Sequence, residues 1–196
     1  MIVGIRHARV WNPQGLFYGR LPGFHLSKEG RASADALSAA LAGAPVRAVY
    51  ASPLDRAKET AAILATPHGL AVQQDERLNE WSFWVHWQGT PWSKIRERDP
   101  ELLEAYARDP ASAVPEASLE MAGDDVLGWA RDAEARHPEE LVLGVSHEAP
   151  LLAALLLGQG QDLSDYHSYN LAHLACVRLR PGPPELVDLA EWARSC

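Results

Sequence analysis

The chain has 196 residues, of which 47% are hydrophobic and 22% are charged, and its formal net charge is −8. These values are typical of a globular protein with a sizeable core, and they exclude an intrinsically disordered chain. The acidic balance argues against a surface that binds nucleic acid or anionic membrane, so an anionic substrate would need a local positive pocket.

Cysteine content and hydropathy bear on cellular location. The only cysteines, Cys176 and Cys196, provide neither a disulfide framework nor a Cys-x-x-Cys metal site, which favours a reducing compartment. No apolar run approaches the ~18 residues that span a bilayer, and the amino-terminal stretch lacks the features of a signal peptide. We therefore expect a soluble cytoplasmic protein with no membrane partner, and the oligomeric state stays open.

The first part of the chain alternates apolar runs with amphipathic segments. Residues 1–7 form a short run with β-branched side chains, which predicts a buried strand, and residues 46–52 predict a second strand. Prolines and glycines punctuate residues 8–26 and predict a loop. Ser27 is the predicted N-cap of a helix that stops at Gly43.

The middle of the chain has a different texture. After a helix that opens at Pro53 and a short strand over residues 70–73, residues 78–115 contain two predicted short helices broken at Pro100. This segment also holds Trp81, Trp84, Trp87 and Trp92. We expect it to lie over the sheet edge as a lid that selects the substrate. We interpret its tryptophans as the core of the lid. The alternative is that Trp81, Trp84 or Trp87 stacks on a substrate that carries a ring.

The last third of the chain returns to strands and helices. The pattern predicts a helix over residues 119–136, a strand over 141–147, a helix over 150–157 and two late strands over 171–180 and 185–189. Alternating strands and helices predict right-handed crossovers and a mostly parallel sheet that is covered on both faces.

Groups that suit an anion follow three of the predicted strands. Arg6 and His7 end the first strand, Arg56 lies in the first helical turn after the second, and His147 ends the strand over 141–147. Parallel strands place their carboxyl ends on one edge of the sheet, where open α/β folds bind ligands. Arginine holds phosphate bidentately, a neutral imidazole can attack phosphorus, and a helix amino terminus adds positive charge. Each residue alone suits a structural role, but their joint placement predicts an anion pocket.

Four motifs now stand in a fixed order along the chain. They are Ile-Arg-His-Ala at residues 5–8, Ser-Pro-Leu-Asp-Arg-Ala at 52–57, Leu-Asn-Glu at 78–80 and Val-Ser-His at 145–147. This series resembles the histidine phosphatase superfamily, also called phosphoglycerate mutase-like, over nearly the whole chain. The resemblance implies an α/β fold, a three-layer α/β/α sandwich with a mostly parallel central sheet. We expect one such domain over residues 1–196, with a small helical lid.

The resemblance also implies roles for the residues at the strand ends. His7 would be the nucleophile that becomes phosphorylated, and Arg6, Arg56 and His147 would bind the transferring phosphoryl group. A bound phosphate raises the pKa of a neighbouring histidine. We therefore expect His147 to face the phosphate as a cation or a hydrogen-bond donor.

Further residues complete the implied site. Glu80 is similar to the family's general acid, Asn12 to an asparagine that contacts phosphate, and Arg20 to the arginine of a Gly-Arg pair that reaches the substrate. Glu148 departs from the pattern, since a glycine often follows the second histidine. Its carboxylate would repel phosphate, orient His147 or replace Glu80 as the acid, and the sequence leaves these alternatives open.

Together these features predict a metal-independent phosphomonoester hydrolase that acts on a small phosphorylated metabolite. No cofactor is expected, and the sequence contains no HExxH motif, Cys/His cluster or EF-hand loop. One alternative is a phosphoglycerate mutase-type transferase, although the chain lacks insertions of the kind that would resemble a mutase. Another is a non-catalytic module that binds a phosphorylated ligand, which the retained histidines, arginines and Glu80 argue against.

Overall fold

A computed structural model describes residues 1–195, and its strands form one mixed sheet with helices on both faces. The strands are β1 (Ile2–Arg6), β2 (Val46–Ala51), β3 (Val72–Gln74), β4 (Leu141–Ser146), β5 (Cys176–Arg180) and β6 (Glu185–Val187). The α-helices are α1 (Lys28–Leu41), α2 (Asp55–Ala65), α3 (Ile95–Arg98), α4 (Pro100–Arg108), α5 (Leu119–Arg136), α6 (Glu148–Gly158) and α7 (Leu189–Arg194). Short 3₁₀ helices lie at Thr66–His68, Glu76–Leu78, Ser82–Trp87, Trp92–Lys94, Pro115–Ala117 and Leu163–Ser168.

The strand order places the amino-terminal strand inside the sheet. The order is β3-β2-β4-β1-β5-β6. Strands β1 to β4 run parallel, whereas β5 pairs antiparallel with β1 and β6 pairs antiparallel with β5. The carboxyl ends of β1, β2 and β4 therefore meet at one edge of the sheet.

Side chains of β1 alternate between two hydrophobic layers, because successive residues of a strand point to opposite faces. Ile2 packs in the layer that contains α5 and α6, while Val3 and Ile5 pack in the layer that contains α1, α2 and α7. Both layers are buried against the sheet. The predicted α/β/α sandwich with a mostly parallel sheet is confirmed.

Most of the predicted elements are present, and the largest error lies near the carboxyl terminus. Ser27 caps α1 by accepting a hydrogen bond from Gly30 N at 3.0 Å, and α5 has the predicted bounds. The predicted strand over residues 171–180 was too long, because Leu174 adopts a positive φ of 64° and turns the chain before β5. The strand predicted over 185–189 was also too long. Its end passes into α7, whose cap Asp188 accepts from Glu191 N at 2.8 Å.

Residues 78–115 form the predicted broken helical segment. Helices α3 and α4 meet at Asp99, and Pro100 is the first residue of α4. Trp81 and Trp87 are each 1% exposed and pack with Phe83 in the core of this segment, as the lid-core interpretation expects. Selection of substrate by this lid, and a single domain over the whole chain, stay predictions.

The structure bears on two sequence features that were used to predict location, the hydropathy and the cysteines. Within residues 1–195 the structure contains no helix that is both long and apolar enough to cross a bilayer. Cys176 is a buried free thiol in β5. Cys196 lies outside the described residues.

Gly144 of β4 has no room for a larger side chain. A Cβ atom there would lie 2.2 Å from Trp129 Cη2, and Trp129 is fully buried. We expect Gly144→Ala to lower the free energy of unfolding by about 1–3 kcal/mol or more through overpacking, measured by urea denaturation. Gly128→Ala is the matched control, because the nearest atom to its added Cβ is 3.7 Å away. In helix α5 the control should gain about 0.5–1 kcal/mol, and equal stability of the two variants would contradict this packing.

Candidate active site

The predicted histidines and Arg56 meet at the carboxyl edge of the sheet. His7 follows β1, and its backbone N–H donates to Ser146 O of β4 at 3.0 Å. The ring centroids of His7 and His147 are 5.2 Å apart. Arg56, in the first turn of α2, donates from Nε to His7 Nε2 at 3.2 Å. Three segments distant in the chain therefore converge on one buried group of side chains.

The hydrogen bonds of His7 define its tautomer. Nδ1 lies 2.8 Å from the carbonyl oxygen of Ala8, which can only accept, so Nδ1 carries the proton. Nε2 accepts from Arg56 and is unprotonated. Burial and then the Arg56 guanidinium lower the pKa of His7 well below its ordinary value. His7 is therefore a neutral imidazole whose unprotonated Nε2 accepts a hydrogen bond from Arg56.

Arg56 is a fully buried cation with several partners. Its Nη2 donates to the Gly19 carbonyl at 2.7 Å, and its guanidinium carbon lies 4.7 Å from the ring centroid of Tyr18. Nη2 is also 4.0 Å from Glu80 Oε2. These contacts fix the orientation of the positive charge beside His7.

Glu80 is a buried carboxyl group at the same place, with 7% of the residue exposed. Its Oε1 accepts from Trp81 N at 2.8 Å, and its Oε2 lies 3.8 Å from His147 Nδ1. Burial raises the pKa of Glu80 above its ordinary value, although Arg56 opposes the shift. A carboxyl group that keeps its proton to higher pH is suited to donate that proton.

His147 is a fully buried histidine beside Glu80. Burial and then Arg56 lower its pKa well below the ordinary value, so the ring is neutral in this structure. Its Nε2 lies 2.8 Å from Ser52 Oγ, and that hydroxyl also accepts from Leu54 N at 3.3 Å. Nδ1 is buried, and no residue in the described chain bonds to it. The prediction for the phosphate-bound state is not tested by these contacts.

Glu148 holds Arg6, a role that none of the three sequence alternatives describes. Its Oε2 lies 3.0 Å from Arg6 Nη1, and its Oε1 accepts from Leu171 N at 3.2 Å. Arg6 Nη1 in turn donates to the Leu171 carbonyl. The ion pair and the shared backbone contact orient the arginine at the end of β1.

Asn12 and Arg20 have different surroundings. Asn12 Nδ2 donates to Leu16 O at 2.8 Å, and its Oδ1 accepts from Leu16 N at 3.0 Å. The side chain of Asn12 thus stabilises the loop in which it lies. Arg20 Nε donates to the Glu80 carbonyl at 2.7 Å and so reaches the site. The structure brings the other six predicted residues together, whereas the bonds of Asn12 are local, and its phosphate contact stays a prediction.

A cavity of about 80 Å³ opens among these groups. Its lining includes Arg6, His7, Tyr18, Glu80 and Glu148. By the same measure, a cavity needs about 10–15 Å³ to hold one water molecule, so this cavity, called the phosphate cavity below, has room for a small oxyanion. Within residues 1–195, no three His, Cys, Asp or Glu side chains are grouped to hold a metal ion.

Three side chains at the site were not among the predicted residues. Ser52 begins the quoted Ser-Pro-Leu motif and Tyr18 directly precedes the Gly-Arg pair, so these features could have pointed to both residues. His173 has no such signal. Its Nδ1 lies 3.2 Å from the His7 carbonyl, and burial lowers its pKa to about 4.

Known proteins resemble the chain in sequence and in fold. An uncharacterized protein of Mycobacterium tuberculosis is 57% identical over 76 residues, which are 39% of this chain and 38% of the relative. Phosphoserine phosphatase 1 of Hydrogenobacter thermophilus is 29% identical over 172 residues, covering 86% of this chain and 81% of the relative. The structure of Bacillus stearothermophilus YhfR matches with a TM-score of 0.83 and 24% identity, covering 95% of this chain and 94% of that one.

A family model covers most of the sequence as well. The model described as histidine phosphatase superfamily, branch 1, matches residues 2–191. This range includes all six strands and every residue of the candidate site. The chain therefore belongs to the histidine phosphatase superfamily, which its motifs predicted, and the matching model is that of branch 1.

Proposed function

We propose that the protein hydrolyses small phosphomonoesters through a phosphohistidine on His7, without the help of a metal ion. The observation that carries this proposal is the tautomer of His7, whose unprotonated Nε2 is held by Arg56 beside the phosphate cavity. The family supports the reaction class. The relative named phosphoserine phosphatase supports a small phosphorylated metabolite as substrate, and a cytoplasmic location stays a prediction.

In the first step His7 Nε2 attacks phosphorus in line with the leaving oxygen. The N–P bond forms as the P–O ester bond breaks, and Glu80 gives its proton to the departing oxygen. Arg6 and Arg56 balance the charge on the equatorial oxygens, which is most of what a protein supplies to a loose transition state. Loss of one positioned donor of this kind typically costs about 3–4 kcal/mol of transition-state stabilisation.

In the second step water attacks the phosphohistidine. Glu80, now a carboxylate, takes a proton from that water, and cleavage of the N–P bond releases phosphate and restores neutral His7. His147 can assist without a positive charge. If the Ser52 hydroxyl donates to Nε2, the proton of the neutral ring lies on Nδ1, which is then a donor for a phosphoryl oxygen.

The experiment that tests this function measures phosphate release from p-nitrophenyl phosphate in the presence of EDTA. We expect steady turnover, because arginine and histidine side chains supply the charge. With 3-phosphoglycerate we expect inorganic phosphate and no transfer between hydroxyl groups. Transfer would favour the mutase alternative, and binding without turnover would favour the non-catalytic module.

A further inference from the structure

A second cavity, of about 540 Å³, adjoins the phosphate cavity. Both are lined by Phe17, Trp84, Trp92, Glu148 and Tyr166. The ring centroid of Phe17 lies 5.4 Å from that of Trp84 and 3.4 Å from that of Trp92. The two spaces therefore share an aromatic wall that begins where a leaving group would emerge from the phosphate site.

Aromatic groups dominate this larger cavity. Its other ring-bearing residues are Trp87, Tyr106, His167 and Tyr169. Among the lining residues of the described chain, only Arg96 carries a full positive charge, and it is exposed. Glu148 is already paired with Arg6. A charged leaving group would lose water here with little compensation.

The tryptophans of the lid divide into two kinds. Trp81 and Trp87 are core residues, and their indole N–H groups donate to Ala117 O and Asp99 Oδ2. Trp92, in contrast, is 58% exposed at the cavity wall. Tyr169 on the same wall is 45% exposed. Exposed large aromatic groups beside a concave site mark a surface that a ligand can cover.

We propose that this cavity, called the ring pocket below, binds a flat aromatic ring that the leaving group carries one or two bonds from the ester oxygen. Phosphate then occupies the small cavity, the ester oxygen faces Glu80, and the ring packs against Phe17, Trp84 and Trp92. The preferred substrates are phosphomonoesters of aromatic or arylmethyl alcohols, and small charged metabolites such as phosphoserine are poor ones. The inference rests on the proposed hydrolase function.

The first test compares substrates with alkyl leaving groups, so that the aromatic ring is not confused with a better leaving group. 2-Naphthylmethyl phosphate should have a kcat/KM roughly 10- to 100-fold above that of phosphoserine and of glycerol 3-phosphate. The difference should lie mainly in KM, because the ring pocket contacts the substrate away from phosphorus.

Variants test the wall directly. We expect Trp92→Ala to lower the preference for the naphthylmethyl ester by roughly 5- to 10-fold, and Trp92→Phe to restore much of it. Trp11→Ala is the matched control, because Trp11 is 66% exposed and lines neither cavity. That control should keep the wild-type preference. Circular dichroism checks that each variant is folded.

Calorimetry separates this inference from the hydrolase proposal. In His7→Ala protein, naphthylmethyl phosphate should bind more tightly than phosphoserine, and adding Trp92→Ala should reduce this difference by the same roughly 5- to 10-fold. The ring pocket is rejected if phosphoserine is bound or hydrolysed better, or if Trp92→Ala weakens both ligands equally. Absence of hydrolysis for all three esters, with the binding preference intact, would overturn the hydrolase function and leave the ring pocket standing.

Discussion

Replacing His7 with alanine is expected to lower kcat by a factor on the order of 10⁴–10⁶ and to abolish the phosphoenzyme. The reason is that Nε2 forms the covalent bond to phosphorus in the proposed mechanism. The side chain is 1% exposed, and its loss leaves Arg56 Nε without its acceptor, so stability should fall by about 1–3 kcal/mol. Folding should survive this loss, which thermal denaturation checks.

Rapid quenching with ³²P-labelled substrate measures the phosphoenzyme. A phosphohistidine survives in base and is lost in acid, which distinguishes it from a phosphoserine. His68→Ala is the matched control, since His68 follows the far end of α2 and lies at the opposite edge of the sheet. Full activity of His7→Ala, or a label that survives acid, would reject the mechanism.

The second large effect is expected from Glu80→Gln. Glutamine cannot donate the proton that the leaving oxygen needs, so kcat should fall about 10²- to 10⁴-fold with alkyl esters. With p-nitrophenyl phosphate the loss in the first step should be much smaller, since that leaving group departs without protonation. A plot of rate against leaving-group pKa measures the difference.

The same variant should change the pH profile. His7 reacts when deprotonated, and its pKa is lowered, so kcat/KM should rise with pH in a range well below the ordinary histidine pKa. Glu80 acts as an acid with a raised pKa, so kcat/KM should fall as pH rises through that value. In Glu80→Gln the alkaline fall that Glu80 causes should be lost, whereas the substrate's own second ionisation, near pH ~6, affects both proteins alike.

Glu148→Gln is the matched control for the acid. Because Glu148 holds Arg6 through an ion pair, its loss should lower the rate roughly 2- to 10-fold for every leaving group alike. If Glu148→Gln alone loses activity selectively on alkyl esters, Glu148 is the acid and the assignment of Glu80 is wrong.

The sequence predicted the sheet and its strand ends well, because long-range topology there follows from local patterns. The apolar runs of β1, β2 and β4 are buried on both faces, and parallel strands share a direction. His7 and His147 stand directly after such runs, and Arg56 lies in the first helical turn that follows β2. Their convergence therefore needed no knowledge of packing.

Contacts between segments that have no periodic pattern could not be predicted from the sequence. The backbone at Leu171 meets both Arg6 and Glu148, and it lies in a stretch that was predicted as strand. Local contacts were also hard to predict. The short amide side chain of Asn12 bonds to Leu16 within its own loop, which the motif pattern does not indicate. The division of the tryptophans into core and cavity wall likewise depends on tertiary packing.

The interior position of β1 has a consequence for folding kinetics. Ile2 pairs with Val142, and Ile5 pairs with Cys176, so β1 cannot complete its pairing until partners far later in the chain are synthesised. Contacts between residues so far apart in sequence slow folding. The entropy lost when a long loop closes is compensated only after the native contacts have formed. During refolding, affinity for phosphate should appear only with the final cooperative phase. A nascent chain that stops before β5 would carry the first histidine motif without a working catalytic centre.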